Sequence, residues 1–164
     1  MKYFLGQIIG LGAFFLSLVA YHRKKKNDIL SNMIISNLFN LVHYILLDAY
    51  SGFVTKIMAI CRDLFILLKE KYKSLSNIFY LFVFLIIYII LGIITYDGIA
   101  SLFPVVAAFI YIIPIWNGNE KVIRKVAFLS YFLWLFYNVY VFSIAGILSN
   151  VVSIISLMIA IRKN

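Results

Sequence analysis

The sequence predicts an all-α, polytopic membrane protein with seven transmembrane helices, and three observations carry that prediction. Hydrophobic residues make up 65% of the 164-residue chain and only 13% are charged, with a mean hydropathy of +1.03. Soluble domains carry roughly a quarter charged residues, and a soluble fold of this size exposes too much surface to hide so much apolar side chain. A lipid bilayer is therefore the expected partner. Second, the apolar residues fall into seven continuous runs, each near the length of about 20 residues that a spanning helix needs. Third, the basic residues gather between alternate runs.

The first run, Tyr3 to Tyr21, stops at Arg23-Lys24-Lys25-Lys26. Its charge follows the apolar stretch and no small-residue cleavage site ends it, so a retained helix is expected rather than a signal peptide. The second run, Ile29 to Leu47, ends at Asp48-Ala49-Tyr50-Ser51-Gly52, and the third, Gly52 to Leu68, at Lys69-Glu70-Lys71-Tyr72-Lys73. The fourth, Ile78 to Thr95, is closed by Asp97-Gly98. The fifth, Ile99 to Trp116, contains Pro104 and Pro114, which remove intrahelical hydrogen bonds and are the expected kinks. The sixth covers Val122 to Phe142 and the seventh Ala145 to Ile161, followed by Arg162-Lys163-Asn164. Continuous rather than alternating runs exclude barrel strands.

The formal charge of +9 would suit nucleic acid as a partner, but its distribution assigns it to topology instead. If the runs cross alternately, one side receives Arg23 to Lys26, Lys69, Lys71, Lys73, Lys121, Arg124, Lys125, Arg162 and Lys163. The other side receives only Lys2 and Lys56, with Arg62 inside the third run. That bias makes the first side cytoplasmic, with the N-terminus outside and the C-terminus inside. No nucleic-acid partner is expected.

A shift of 94 residues lays residues 1–70 over 95–164 without a gap, so that Tyr50-Ser51-Gly52 falls on Ile144-Ala145-Gly146 and Lys69 on Lys163. The hydropathy register, rather than residue identity, carries this overlay. It predicts a three-helix repeat over residues 1–73, a linker helix over 74–97 and a second three-helix repeat over 98–164. Two parallel bundles of this kind are related by an axis along the membrane normal, with the substrate path between them. A homo-oligomer is compatible with the plan.

Several polar residues would be penalised by lipid and so mark a path or an interface. Asn37, Asn40 and Tyr44 share one face of the second helix, and Trp134, Tyr137 and Asn138 sit at equivalent depth on the sixth. Together they offer amides and an aromatic platform suited to a polar, mostly neutral solute; the alternative is interhelical hydrogen bonding. His43 is expected in an interface, as a helix cap or as a ligand. Arg62 lies deep in the third helix, where it either faces a cavity and binds an anionic group or snorkels to the cytoplasmic side. Its neighbour Asp63 points about 100° away, so a direct pair is not required. Asp48 and Lys56 are expected to pair near the outer surface, and Cys61 to be an apolar-core thiol. Small residues at Gly6, Gly10, Ala13 and Ser17, and at Ser149, Ser153 and Ser156, predict close helix packing.

Gln7-Ile8-Ile9-Gly10, the segment from His43 to Tyr50, Arg62, Trp134 with Asn138, and Ser143-Ile144-Ala145-Gly146 resemble the YgjV family of bacterial inner-membrane proteins. The three-plus-one-plus-three plan also resembles the SWEET and PQ-loop class of small-solute carriers. That resemblance implies a SWEET-like fold in the bacterial inner membrane. It places Asn150 at the substrate-facing asparagine of the seventh helix, with Lys56 as its repeat partner, and Trp134 and Tyr137 at the aromatic pair of the sixth. Pro104 matches a fifth-helix proline, although Gly10 stands opposite it and no Pro-Gln pair occurs.

The expected function is a SWEET-like facilitative carrier or channel for a small polar metabolite; the alternative is a non-transporting membrane scaffold or regulator. No nucleophile–base pair, carboxylate pair, metal cluster or phosphate-binding glycine loop is evident, so no enzyme activity, cofactor or metal is expected. No acidic residue is read at the middle of a helix, so proton coupling is not expected either.

Overall fold

A computed structural model describes residues 1–22, 25–118 and 120–162. Arg23, Lys24, Asn119, Lys163 and Asn164, which belong to the basic stops and one turn, lie outside the described residues. Seven α-helices stand where seven apolar runs were expected: α1 (Lys2–His22), α2 (Lys26–Leu46), α3 (Tyr50–Lys71), α4 (Phe79–Ile94), α5 (Leu102–Asn117), α6 (Glu120–Tyr140) and α7 (Ile144–Arg162). Short 3-10 turns at Lys73–Ser76 and Ile99–Ser101 precede α4 and α5. The stops have local causes. Asn77 Oδ1 accepts the Phe79 N–H at the start of α4, at 2.9 Å. Gly118 closes α5 in the left-handed region at φ 74°, its N–H donating to the Pro114 carbonyl, an end that glycine favours.

Pro104 departs from the expected kink. It is the third residue of α5, and the first four N–H groups of a helix have no intrahelical acceptor. A proline there removes nothing. Pro114 does lie inside the helix.

By principal neighbours, α1 packs on α2 and α7, α2 on α3, α3 on α5, α5 on α6 and α6 on α7. These six helices close a ring, while α4 packs outside it against α3 and α5. The seam under α4 is apolar, with Ile66, Leu81, Tyr88, Ile112 and Ile115 buried together.

Residues 94 apart share local geometry at several points. Helices α2 and α6 begin and end 94 positions apart. Among described non-glycine residues only Asp48 and Phe142 have positive φ, 55° and 52°, and they too are 94 apart. Around them the same four backbone bonds recur: Leu47, Asp48, Ala49 and Phe53 donate to His43, Ile45, Tyr44 and Ala49, as Val141, Phe142, Ser143 and Ile147 donate to Tyr137, Val139, Asn138 and Ser143. Ser36 Oγ donates to the Ala13 carbonyl at 2.9 Å, and Ser130 Oγ to that of Ala107 at 2.7 Å.

The surface is inverted relative to a soluble protein. Large apolar side chains point outward along every helix, among them Phe4, Phe39, Leu64, Ile93, Phe136 and Ile155, while Ser36, Asn37, His43, Asn138, Ser143 and Ser153 are buried. Lipid accepts the former, and the latter are small or hydrogen-bonding groups that hold membrane helices together. Cys61 is exposed, which corrects the expected core thiol. Among the described residues three segments are long and apolar enough to cross a membrane, Asn27–Leu46, Ile99–Asn117 and Lys121–Tyr140. Lys2–Ser17, Phe79–Ile94 and Ile144–Ile159 are shorter apolar helices. Helix α3 carries Lys56, Arg62 and Asp63 along its length.

Candidate functional site

The ring encloses a cavity of about 70 Å³ to which all six of its helices contribute and α4 does not. Helical periodicity selects the lining. From α2 come Ser36, Asn37, Asn40 and Tyr44, and from α6, at the same spacing, Ser130, Tyr131, Trp134 and Asn138. Helix α3 supplies Thr55, Lys56, Ala59 and Arg62, and α7 supplies Gly146, Ser149 and Asn150. Ser17 enters from α1, and Ala107, Ala108 and Tyr111 from α5.

Tyr44 and Asn138, 94 residues apart, meet across the ring, the tyrosine O–H donating to Asn138 Oδ1 at 2.8 Å. Tyr44 also stacks on Trp134 with centroids 5.6 Å apart. Lys56 Nζ lies over the other part of this platform, 3.9 Å from the Trp134 ring centroid, an arrangement that attracts a cation. Asn40 Nδ2 is committed to the Ser36 carbonyl at 3.1 Å. Asn150, 5% exposed, has an Nδ2 with no hydrogen-bond partner among the described residues. Asn37 is buried in the wall.

Arg62 is 2% exposed and reaches the cavity instead of snorkelling away from it. Its Nη2 and Nε lie 2.7 Å and 2.8 Å from Asp63 Oδ1, so the adjacent carboxylate pairs with it after all. Asp63 is fully buried, and its Oδ2 has no partner among the described residues. The sequence reading places no acid at the middle of a helix; Asp63 is buried well inside α3.

The model of the family Imp-YgjV, described as a bacterial inner membrane protein, matches residues 4–164. The chain belongs to this family. No curated protein and no solved structure matches it.

In this Imp-YgjV member, Asn37, Asn40, Tyr44, Arg62, Trp134, Asn138 and Asn150 line one cavity, while His43 and Tyr137 do not. Those two sit one residue before Tyr44 and Asn138 and face neighbouring helices. His43 Nδ1 lies 2.7 Å from the Gly6 carbonyl of α1 and Nε2 2.7 Å from Ser143 Oγ. Because a carbonyl only accepts, Nδ1 carries the proton and Nε2 accepts from the serine. Ser143 Oγ in turn accepts the Gly146 N–H at 3.0 Å, so the histidine ties α1, α2 and the start of α7 together. Tyr137 Oη accepts the Gly52 N–H at 2.9 Å, tying α6 to α3.

Lys56 is the cavity residue that sequence reasoning missed. It was expected to pair with Asp48 at the outer surface, but Asp48 is exposed in the α2–α3 turn while Lys56 points inward. The available signal was its register, 94 residues before Asn150.

Proposed function

We propose that the chain is a SWEET-like facilitative carrier or channel for a small polar metabolite. In this reading all seven helices cross the inner membrane, with the N-terminus outside and the C-terminus cytoplasmic. Residues 1–73 and 98–164 act as parallel repeats joined by the linker helix in 74–97. The observation that carries it is a cavity surrounded by six helices, lined in part by polar and charged side chains, while the helices' outer faces are apolar, since polar groups inside a membrane bundle mark solute pathways. The recurrence of turn and serine hydrogen bonds at 94 residues supports the paired repeats. About 70 Å³ holds roughly five water-sized groups, room enough for a small polar solute. The reading assigns no catalytic chemistry to the chain.

Proteoliposome swelling in glycerol, serine and sodium acetate tests it. At least one solute is expected to enter faster than into protein-free vesicles. Asn37→Ala or Trp134→Ala should slow that entry about tenfold, equivalent to about 1.4 kcal/mol, without loss of folded protein. Unchanged entry in both variants would remove the proposed path. Entry of no solute, together with a specific complex on mild extraction, would favour a scaffold.

A further inference from the structure

The charges around the cavity do not balance. Lys56 and Arg62 bring two cations to its wall, and the carboxylate next to them, Asp63, is already engaged by two nitrogens of Arg62. Among the described residues Lys56 has no carboxylate within ion-pair distance; its described neighbour is the Trp134 ring. Lys56 is half-buried, and an unpaired charge even partly withdrawn from water favours a compensating partner. Asn150 adds a second, independent mismatch, a buried amide donor facing the same cavity with no acceptor among the described residues, when buried donors are nearly always satisfied.

Both mismatches call for the same thing, a small species with negative charge and acceptor oxygens. We infer that the cavity is a binding site for a small monovalent anion of the carboxylate or oxyanion class, with Lys56 as the charge partner and Asn150 as a hydrogen-bond donor. One uncompensated positive charge sets the valence. The space of about 70 Å³, roughly five water-sized groups, has room for an anion the size of acetate. Lysine suits this role as a compact cation with three rotatable donors. Ala107 and Ala108 leave room for a short apolar tail. The inference deepens the carrier reading, in which the bound anion is the cargo.

Sodium acetate titrated into the full-length protein in detergent, in chloride-free buffer at constant ionic strength, provides the test, with acetamide as the neutral isostere. Tryptophan emission is the readout because Trp134 lies under Lys56. A saturable change is expected with acetate and none with acetamide. Lys56→Gln should raise the half-saturating concentration at least tenfold, Lys56→Arg should largely retain binding, and Asn150→Leu should weaken it severalfold with the lysine intact. The Asn150 variant keeps the test decisive if Lys56→Gln does not fold. Absence of a saturable response to acetate, formate and nitrate overturns the inference, as does a response unaltered by both Lys56→Gln and Asn150→Leu. Glycerol entry into proteoliposomes without acetate binding would overturn the anion site and leave the carrier reading. Acetate binding with no solute entry would support the site and overturn the carrier reading.

Discussion

Replacing Asp63 with leucine will destabilise the extracted protein by about 3–5 kcal/mol, the cost of leaving one member of a buried ion pair without the other. Arg62 is 2% exposed and Asp63 fully buried, so neither reaches solvent when its partner is lost. Tyr111 of α5 lies 5.4 Å from the Arg62 guanidinium. Rings can attract the cation but supply no formal charge. The double variant Arg62→Met/Asp63→Leu should recover most of the loss, because apolar replacement of a whole buried pair is often neutral or better. Denaturant titration, or the fraction remaining monodisperse after heating, measures both. A single variant as stable as the double would show that the guanidinium finds another partner or leaves the interior.

Helix ends were legible because their punctuation is chemical. Asp97-Gly98, Asn117-Gly118 and Asp48-Ala49 mark turns by residue type, and Gly98 and Gly118 indeed adopt positive φ, as does Asp48. The inward face of α2 was legible too, since Asn37, Asn40 and Tyr44 are polar exceptions at helical spacing and all three line the cavity. Helix α3 was harder. Each residue turns about 100° from the last, which puts Cys61 outside, Arg62 into the cavity and Asp63 into the wall. Apolar side chains surround all three, so periodicity alone does not fix the helix's rotation.

The same single step explains His43 and Tyr137. Each immediately precedes a lining residue, and each is polar enough to pass for one. Each bonds a backbone group, the Gly6 carbonyl or the Gly52 N–H, and such partners leave no mark in the sequence beyond the glycines themselves; His43 also bonds Ser143 Oγ. Of the two glycines, Gly52 belongs to a turn and Gly6, like Gly10, to the small-residue stripe that predicts close packing. Gly10 shows why: a Cβ there would lie 2.7 Å from His43 Nδ1 and 2.8 Å from the Ala145 Cβ.

The second large effect follows from that close packing. Gly146→Ala is expected to cost about 3 kcal/mol or more, from overpacking of about 1–3 kcal/mol together with at least one broken buried hydrogen bond. The added methyl would collide with Asn138 and with Ser143 Oγ. Asn138 accepts from Tyr44, and Ser143 bonds His43 and the Gly146 N–H. One methyl group therefore disturbs both the contact across the cavity and the histidine link between α1, α2 and α7. Gly12→Ala is the control. Its Cβ would meet only the Phe39 ring, at 3.2 Å and 3.3 Å, and Phe39 is exposed and free to turn, so the cost should stay below about 1 kcal/mol. Thermal unfolding of the two variants side by side measures the difference. Equal stability would mean that α7 does not approach Asn138 as closely as the glycine permits.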